Sequence, residues 1–372
     1  MVVVAAATGL IALALSDGDV SAPAPVPVTT SGVPRPVRGL LRGLSLEQKV
    51  DQVLALGFSG TDSSSPIAAE LAARQIGAIF IGPENWVDAS QGAALIAELR
   101  AAGHSGGRVP PLILSAQEGG RGRAFPDLPP ARSEAVIGEL GDPQLARRWA
   151  RQTGDALAAA GVDLNLAPIV DLAPLGSPLA ERTFGEDPQQ SASMTLAAEI
   201  GCGEAHIACA PAHFPGIGAA SADTDLGPAT VGLDRATLLR RDLSPFTVAF
   251  QVGAPAVVLS HAFFAAYDAV TPASQTPSIV SGLLRRRLGF EGAAITDDLS
   301  AGAITALGPV RDAAVASIRA GADLLLIERP GEVQRLARDA LLRAARDGTI
   351  PAARLDEAAG RVLELKRQLG LL

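Results

Sequence analysis

From Leu44 onward the chain repeats one pattern, and that repetition restricts its fold more than any other feature. Short apolar runs end in glycine, proline or a polar residue, and longer segments rich in alanine, leucine and arginine follow them. Short buried runs bounded by turns fit parallel strands, and amphipathic segments between them fit helices that cover a sheet. Strands are predicted at residues 53–58, 78–81, 112–115, 163–167, 207–210, 256–260, 293–296 and 323–327. Helices are predicted at 66–74, 91–102, 143–160, 189–200, 235–251, 278–288, 309–320 and 330–347. Eight βα units over roughly 320 residues predict an α/β domain built as a single (β/α)8 TIM-type barrel, expected to occupy 41–372. The alternative is a doubly wound open sheet, but no Gly-x-Gly-x-x-Gly follows the first strand.

The first forty residues read differently. Residues 2–15 are an apolar stretch too short for a confident membrane span, and Ala14-Leu15-Ser16 resembles a small-residue cleavage site. Residues 1–16 therefore read as a signal-like segment. Residues 17–40, rich in proline, serine and threonine, read as an extended linker. Together they predict export, with the mature protein secreted or associated with the cell envelope. A net charge of −8 argues against a nucleic-acid partner. With only Cys202 and Cys209, a disulfide framework and a four-cysteine zinc site are both excluded. Cys202 and Cys209 flank Glu204 and His206, but alternation along the segment from helix into strand would point these side chains to opposite faces, which argues against a metal there, and free packed thiols are expected. A single disulfide is the alternative. Neither a metal nor another cofactor is expected.

In a barrel of this kind chemistry belongs just beyond the C-terminal ends of the strands. The polar residues fall there. Gln117 and Glu118 follow the third strand, Asp171 and Arg182 the fourth, His213 the fifth, His261 the sixth, and Asp297 and Asp298 the seventh. Trp86, after the second strand, suits either a stacking platform for a sugar ring or a core cap.

These residues lie in ordered motifs. They are Ala116-Gln-Glu-Gly-Gly-Arg121, Asp163-Leu-Asn-Leu-Ala-Pro-Ile-Val-Asp171, Arg182-Thr-Phe-Gly-Glu-Asp-Pro188, Ala212-His-Phe-Pro-Gly-Ile-Gly218 and Ile295-Thr-Asp-Asp-Leu-Ser300. By these motifs the chain resembles glycoside hydrolase family 3, in its single-domain β-N-acetylhexosaminidase branch. The resemblance implies a retaining mechanism with two groups, one attacking the anomeric carbon and one protonating the leaving oxygen. It implies Asp297 as nucleophile, with Asp298 holding the loop. It implies Asp223 as the residue that orients the proton donor. Arg182, His213, Glu118, Arg123 and His261 are implied substrate-side residues, although Glu118 also suits a loop brace, and His213 a buried histidine bonded to a neighbouring strand end. The implied partner is a carbohydrate containing N-acetylglucosamine, such as a peptidoglycan fragment.

The chain also departs from the family pattern. The proton-donating histidine is Asp225, and imidazole is the better acid near pH 7, because an exposed aspartate titrates near 3.9. Repulsion from Asp223 raises such a group, and solvent on an open loop screens the effect. An aspartate that holds sugar hydroxyls is replaced by Ala116, an arginine by Ala124 (with Arg123 beside it), a lysine by Ala212 and a second histidine by Ile217. The leading expectation is thus a protein impaired in hydrolysis that is retained to bind a glycan or an envelope protein. The alternative is an active retaining exo-β-glycosidase with an altered acid and altered sugar preference.

Overall fold

The computed structural model describes residues 35–372. The signal-like segment and most of the expected linker lie outside the described residues. Folded structure begins upstream of residue 41, with helix Arg35–Gly43. Its Val37 and Leu41 are buried, and it packs against the last helix, Ala352–Gln368. The linker boundary therefore moves toward the N-terminus, because two apolar residues on one helical face found a partner too distant in sequence to be anticipated.

All eight predicted strands are present: β1 (Leu54–Leu56), β2 (Ala78–Phe80), β3 (Leu112–Ser115), β4 (Leu164–Asn165), β5 (Ala208–Cys209), β6 (Ala256–Leu259), β7 (Ala293–Thr296) and β8 (Leu325–Ile327). Six form a parallel sheet in the order β8-β1-β2-β3-β4-β5, and β6 pairs in parallel with β7. Hydrogen bonds join the two groups on both sides. Phe214, just past β5, donates its N–H to Val258 O (2.7 Å) and accepts from Ser260 N (2.9 Å). Thr296 at the end of β7 donates to Leu324 O (2.9 Å), immediately before β8.

Alternation along the strands separates two apolar faces. Leu112, Leu114, Ala293, Ile295, Leu324 and Leu326 pack in one cluster, while Ile113, Ala294, Leu325 and Ile327 pack in another. Side chains of successive strand residues point to opposite faces, so a strand apolar on both is one buried on both, as the continuous apolar runs imply. Val362 and Leu365 of the last helix join the first cluster. That helix had no counterpart among the expected elements.

Two further departures have local causes. The expected helix at 235–251 is broken into Arg235–Arg240 and Leu243–Gln251. Pro245 has no N–H to donate to the carbonyl of Arg241, so the first helix cannot run through. A small sheet of Thr230–Val231, Phe263–Phe264 and Asp268–Pro272 lies in the loops after β5 and β6. Two of its strands are only two residues long, too short to leave a periodic signature.

The expectation of free thiols is corrected: Cys202 and Cys209 form a disulfide that ties the end of helix Pro188–Glu204 to β5. His206 between them adopts a left-handed φ of 56°, which turns the chain between the helix and the strand. Both sulfurs consequently enter the same buried cluster.

Candidate active site

The loops beyond β3, β4, β5 and β7 bring the predicted residues together. Arg182 meets Glu118 through two parallel hydrogen bonds, Nε to Oε2 at 2.8 Å and Nη2 to Oε1 at 2.7 Å. Such a bidentate pair fixes the plane of the guanidinium. Glu118 is thereby a brace for Arg182, and both its oxygens are occupied. Burial disfavours the Arg182 charge, but Glu118, Asp225 and Asp297 outweigh it and hold the guanidinium firmly protonated.

His213 is buried and its Nδ1 lies 2.8 Å from Asp171 Oδ2. Asp171 also accepts the backbone N–H groups of His213 (3.1 Å) and Ile217 (2.6 Å), so the loop is wrapped around this carboxylate. The other ring nitrogen, Nε2, lies 3.9 Å from Asp297 Oδ2. Burial works against the charged ring, but the hydrogen bond and charge of Asp171, with the charge of Asp297, raise its pKa to about 9. An imidazolium therefore stands beside Asp297 at neutral pH.

Asp297 follows β7 directly, and its backbone N–H donates to Leu259 O (3.0 Å). Asp298 turns the other way. Its carboxylate accepts from Ser300 N (2.9 Å), Ser300 Oγ (2.6 Å) and Glu328 N (2.9 Å), stitching the β7 and β8 loops together as expected of a loop holder.

The loop carrying Asp223 and Asp225 is held in place. Asp225 N donates to Asp223 Oδ1 (2.9 Å), and the carbonyls of Asp225 and Thr224 accept from Gly302 N (2.9 Å) and Ala303 N (3.0 Å) beyond β7. Asp225 is solvent-exposed. Partial desolvation, then the charges of Asp297 and Asp223, raise its pKa to about 6 against the opposing pull of Arg182 and His213. Asp225 is exposed, as expected of this loop, and the strongest charge acting on it comes from Asp297 after β7 and not from its neighbour Asp223.

Two expectations are revised, and an open one is decided. Arg123 points away, with Nε on Gly120 O (3.2 Å) and Nη1 on Pro126 O (2.9 Å) of its own loop. His261 is fully buried. Its Nδ1 meets Ser274 Oγ (2.9 Å) and its Nε2 the carbonyl of Asp298 (3.1 Å), so it supports the nucleophile loop from behind and keeps no nitrogen for a sugar. Trp86 is a core cap. It stacks on Phe125 at 3.8 Å and donates to Asp127 (2.7 Å), over Gly92, where a Cβ would lie 2.1 Å from the indole. The departures Ala124, Ala212 and Ile217 are buried in apolar surroundings. Among the described residues no group of three or more acidic, histidine or cysteine side chains is arranged to hold a metal ion.

Sequence reasoning missed Glu328 and Glu84, at the ends of β8 and β2. Both act on the same site: burial first, then Asp298, Asp297, Glu84 and Asp225, push Glu328 up to about 9. Their position immediately past predicted strands was the available signal.

Residues 45–365 match the glycosyl hydrolase family 3 N-terminal domain. The chain is 33% identical over 321 residues to a β-hexosaminidase of Thiobacillus denitrificans, covering 82% of this chain and 86% of that one. It is 32% identical over 317 residues to one from Stenotrophomonas maltophilia, covering 83% and 91%. Its fold superposes with a TM-score of 0.86 on a family 3 β-N-acetylglucosaminidase from a Paenibacillus species, at 33% identity, over 88% of this chain and 63% of that one. A β-N-acetylhexosaminidase from Beutenbergia cavernae gives 0.79 at 30% identity, over 87% and 99%. With its motifs assembled at the strand ends and most of its length matched, the chain belongs to glycosyl hydrolase family 3 and is β-hexosaminidase-like.

Proposed function

We propose that this protein is an active retaining β-N-acetylhexosaminidase in which Asp297 attacks the anomeric carbon and Asp225 supplies and recovers the proton. The observation that carries the proposal is the pairing of Asp297 with a carboxyl group, Asp225, that titrates at about 6. A carboxylate nucleophile and a second carboxyl group able to give and take a proton are the requirement for this chemistry. The joined hydrogen bonding on both sides of β6-β7 supports a closed (β/α)8 barrel as the scaffold.

The charges also suit the two halves of the reaction. In the first, protonated Asp225 gives its proton to the leaving oxygen while Asp297 bonds to the anomeric carbon, with the His213 imidazolium beside it. Once Asp297 is esterified its negative charge is gone. Asp225 then loses its largest electrostatic repulsion and ionises more readily, as a base must to take a proton from the incoming water. Water attack releases the sugar and restores Asp297, whose returning charge favours protonated Asp225 again.

The substrate class we infer is a glycan with terminal N-acetylglucosamine, following the names of the relatives. Export to the cell envelope, with peptidoglycan fragments as the substrate there, is supported by the apolar start, the proline-rich stretch and the Cys202–Cys209 disulfide, since disulfides persist in oxidising compartments. The second reading, a glycan- or partner-binding protein without turnover, rests on apolar Ala116 and Ala212. Turnover of p-nitrophenyl N-acetyl-β-glucosaminide that disappears in Asp297→Asn is the expected result. No turnover, with thermal stabilisation by N-acetylglucosamine, would favour the second reading.

A further inference from the structure

We infer that the loops after β4, β5 and β6 form an apolar subsite beside the reacting sugar, one that takes aliphatic groups carried by the leaving half of the substrate. Its place depends on the hydrolase reading above: Asp225 gives its proton to the leaving oxygen, so the residues next to Asp225 border the group that departs.

Leu226 is the next residue, and its backbone is fixed. Its N–H donates to Asp223 O (3.2 Å). Its carbonyl packs against Gly302, where a Cβ would stand 2.4 Å from both the carbonyl carbon and the oxygen. Only glycine permits that approach. The side chain is nevertheless left 85% exposed.

Leu175 in the β4 loop is 99% exposed and Val270 in the β6 loop 80%; with Leu226 they are the three most exposed large apolar residues among the described residues. Leu175 sits in a tight turn closed by Ser177 N to Pro174 O (2.9 Å), with Gly176 at a φ of 90°. Ser177 Oγ donates to Gly218 O (2.8 Å), which pins this turn to the β5 loop. The β5 loop then closes on itself. Ser221 N donates to Thr230 O (3.1 Å) and Thr230 N to Ser221 Oγ (3.0 Å), with Asp225 and Leu226 in the span between. Thr230–Val231 pairs with Phe263–Phe264, which pairs with Asp268–Pro272, the strand that carries Val270. The three side chains thus belong to one hydrogen-bonded substructure.

Single exposed leucines are ordinary, but the three most exposed gather on the loops around the proton donor. Aliphatic side chains offer nothing to a sugar hydroxyl and gain by covering apolar surface. The aromatic rings nearby are engaged elsewhere: Trp86 is the core cap, and Tyr267 of the β6 loop lies under the Arg235 guanidinium (5.1 Å). What this surface suits is an aliphatic group on the leaving side of Asp225.

Methyl and octyl β-N-acetylglucosaminides have leaving groups of nearly equal basicity, so they differ in the apolar surface they can bury and hardly in reactivity. For both, kcat/KM is measured below the micelle concentration, and the affinity of their non-hydrolysable 1-thio analogues is measured by calorimetry. The octyl compounds are expected to be favoured by about tenfold or more in both measurements. Leu226→Ser and Leu175→Ser should each lower the octyl-to-methyl ratio by about threefold, and a triple variant with Val270→Ser should bring it within about twofold of unity. Leu226→Met keeps the apolar surface and should keep the ratio. Because all three side chains are exposed, the variants should unfold at the parent's Tm. A ratio near one in the parent overturns the inference, as does a ratio that the triple variant retains. Binding of phosphatidylcholine vesicles by a parent with no octyl preference, lost in the triple variant, would assign these residues to a lipid surface instead. Octyl preference in binding without any turnover defeats the hydrolase reading alone. Parent protein that neither binds the thioglycosides nor turns over the glycosides defeats both.

Discussion

Replacing Asp225 with asparagine removes a proton donor while nearly preserving the side chain's shape. An aspartate at its ordinary 3.8 is protonated in roughly one molecule in 160 at pH 6, whereas Asp225, titrating at about 6, is protonated in about half. The site thus holds on the order of eighty times more of the acid form than an unperturbed aspartate would. Above pH 6 that fraction falls about tenfold per pH unit, so kcat/KM on a substrate with a poor leaving group, such as chitobiose, should fall in parallel. Asp225→Asn should lower kcat/KM on chitobiose by about 10²–10⁴-fold and abolish that alkaline limb. The p-nitrophenyl glycoside, whose leaving group scarcely needs a proton, should lose far less in the step that forms the covalent intermediate. A small anion such as azide, which needs no base, should rescue the second step. Burst and steady-state kinetics on both substrates across pH 4–9 read all of this. Equal losses on the two substrates, or an alkaline limb that survives in the variant, would refute the assignment. The electrostatic argument has its own check: Asp297→Asn removes the strongest like charge and should lower the Asp225 pKa, followed by carboxyl-carbon NMR.

Other expectations follow from the surrounding structure. Arg182→Ala leaves Glu118 buried without its partner and should cost about 3–5 kcal/mol in denaturant unfolding, besides abolishing turnover. His213, raised to about 9 from 6.5, contributes stability that is fully present below about pH 6.5 and is lost as pH rises through 9; imidazole NMR should find its ring charged at neutral pH. Lys366 has the opposite sign. It is buried against Gln52 (2.9 Å) with its pKa lowered to about 7 from 10.5, so the unfolded chain binds more protons between those values. Stability should rise with pH across that window by up to about 1.4 kcal/mol per pH unit, a slope that Lys366→Met removes. Opening the seven-residue Cys202–Cys209 span in a double Cys→Ala variant should cost about 2–3 kcal/mol, read as a lowered Tm in calorimetry.

Much of this protein was legible before any coordinates. Strand and helix positions follow from local apolar periodicity, because burial on both faces leaves continuous runs and burial on one leaves amphipathic ones. A parallel α/β domain then places strand ends on one side, so Arg182, His213, Asp223 and Asp297 could be gathered from the sequence. What failed depended on contacts that periodicity does not record, most of them between distant segments. Helix Arg35–Gly43 exists where a linker was expected because Val37 and Leu41 pack against the last helix. Arg123 satisfies itself on its own loop, and His261 spends both nitrogens on Ser274 and Asp298.

The identity of the reacting carboxylates is a property of the sequence, since residue type and motif order are written in it. Their protonation is a property of the tertiary structure. Asp225 follows β5 and Asp297 follows β7, 72 residues later in the chain, and they are brought close enough in space for the Asp297 charge to act on Asp225. Charge interaction depends on distance and on how far water is excluded, and neither quantity has any local signature in the chain. The same reason hid Glu328, whose carboxyl is pushed up by burial first and then by four acidic neighbours on three other loops.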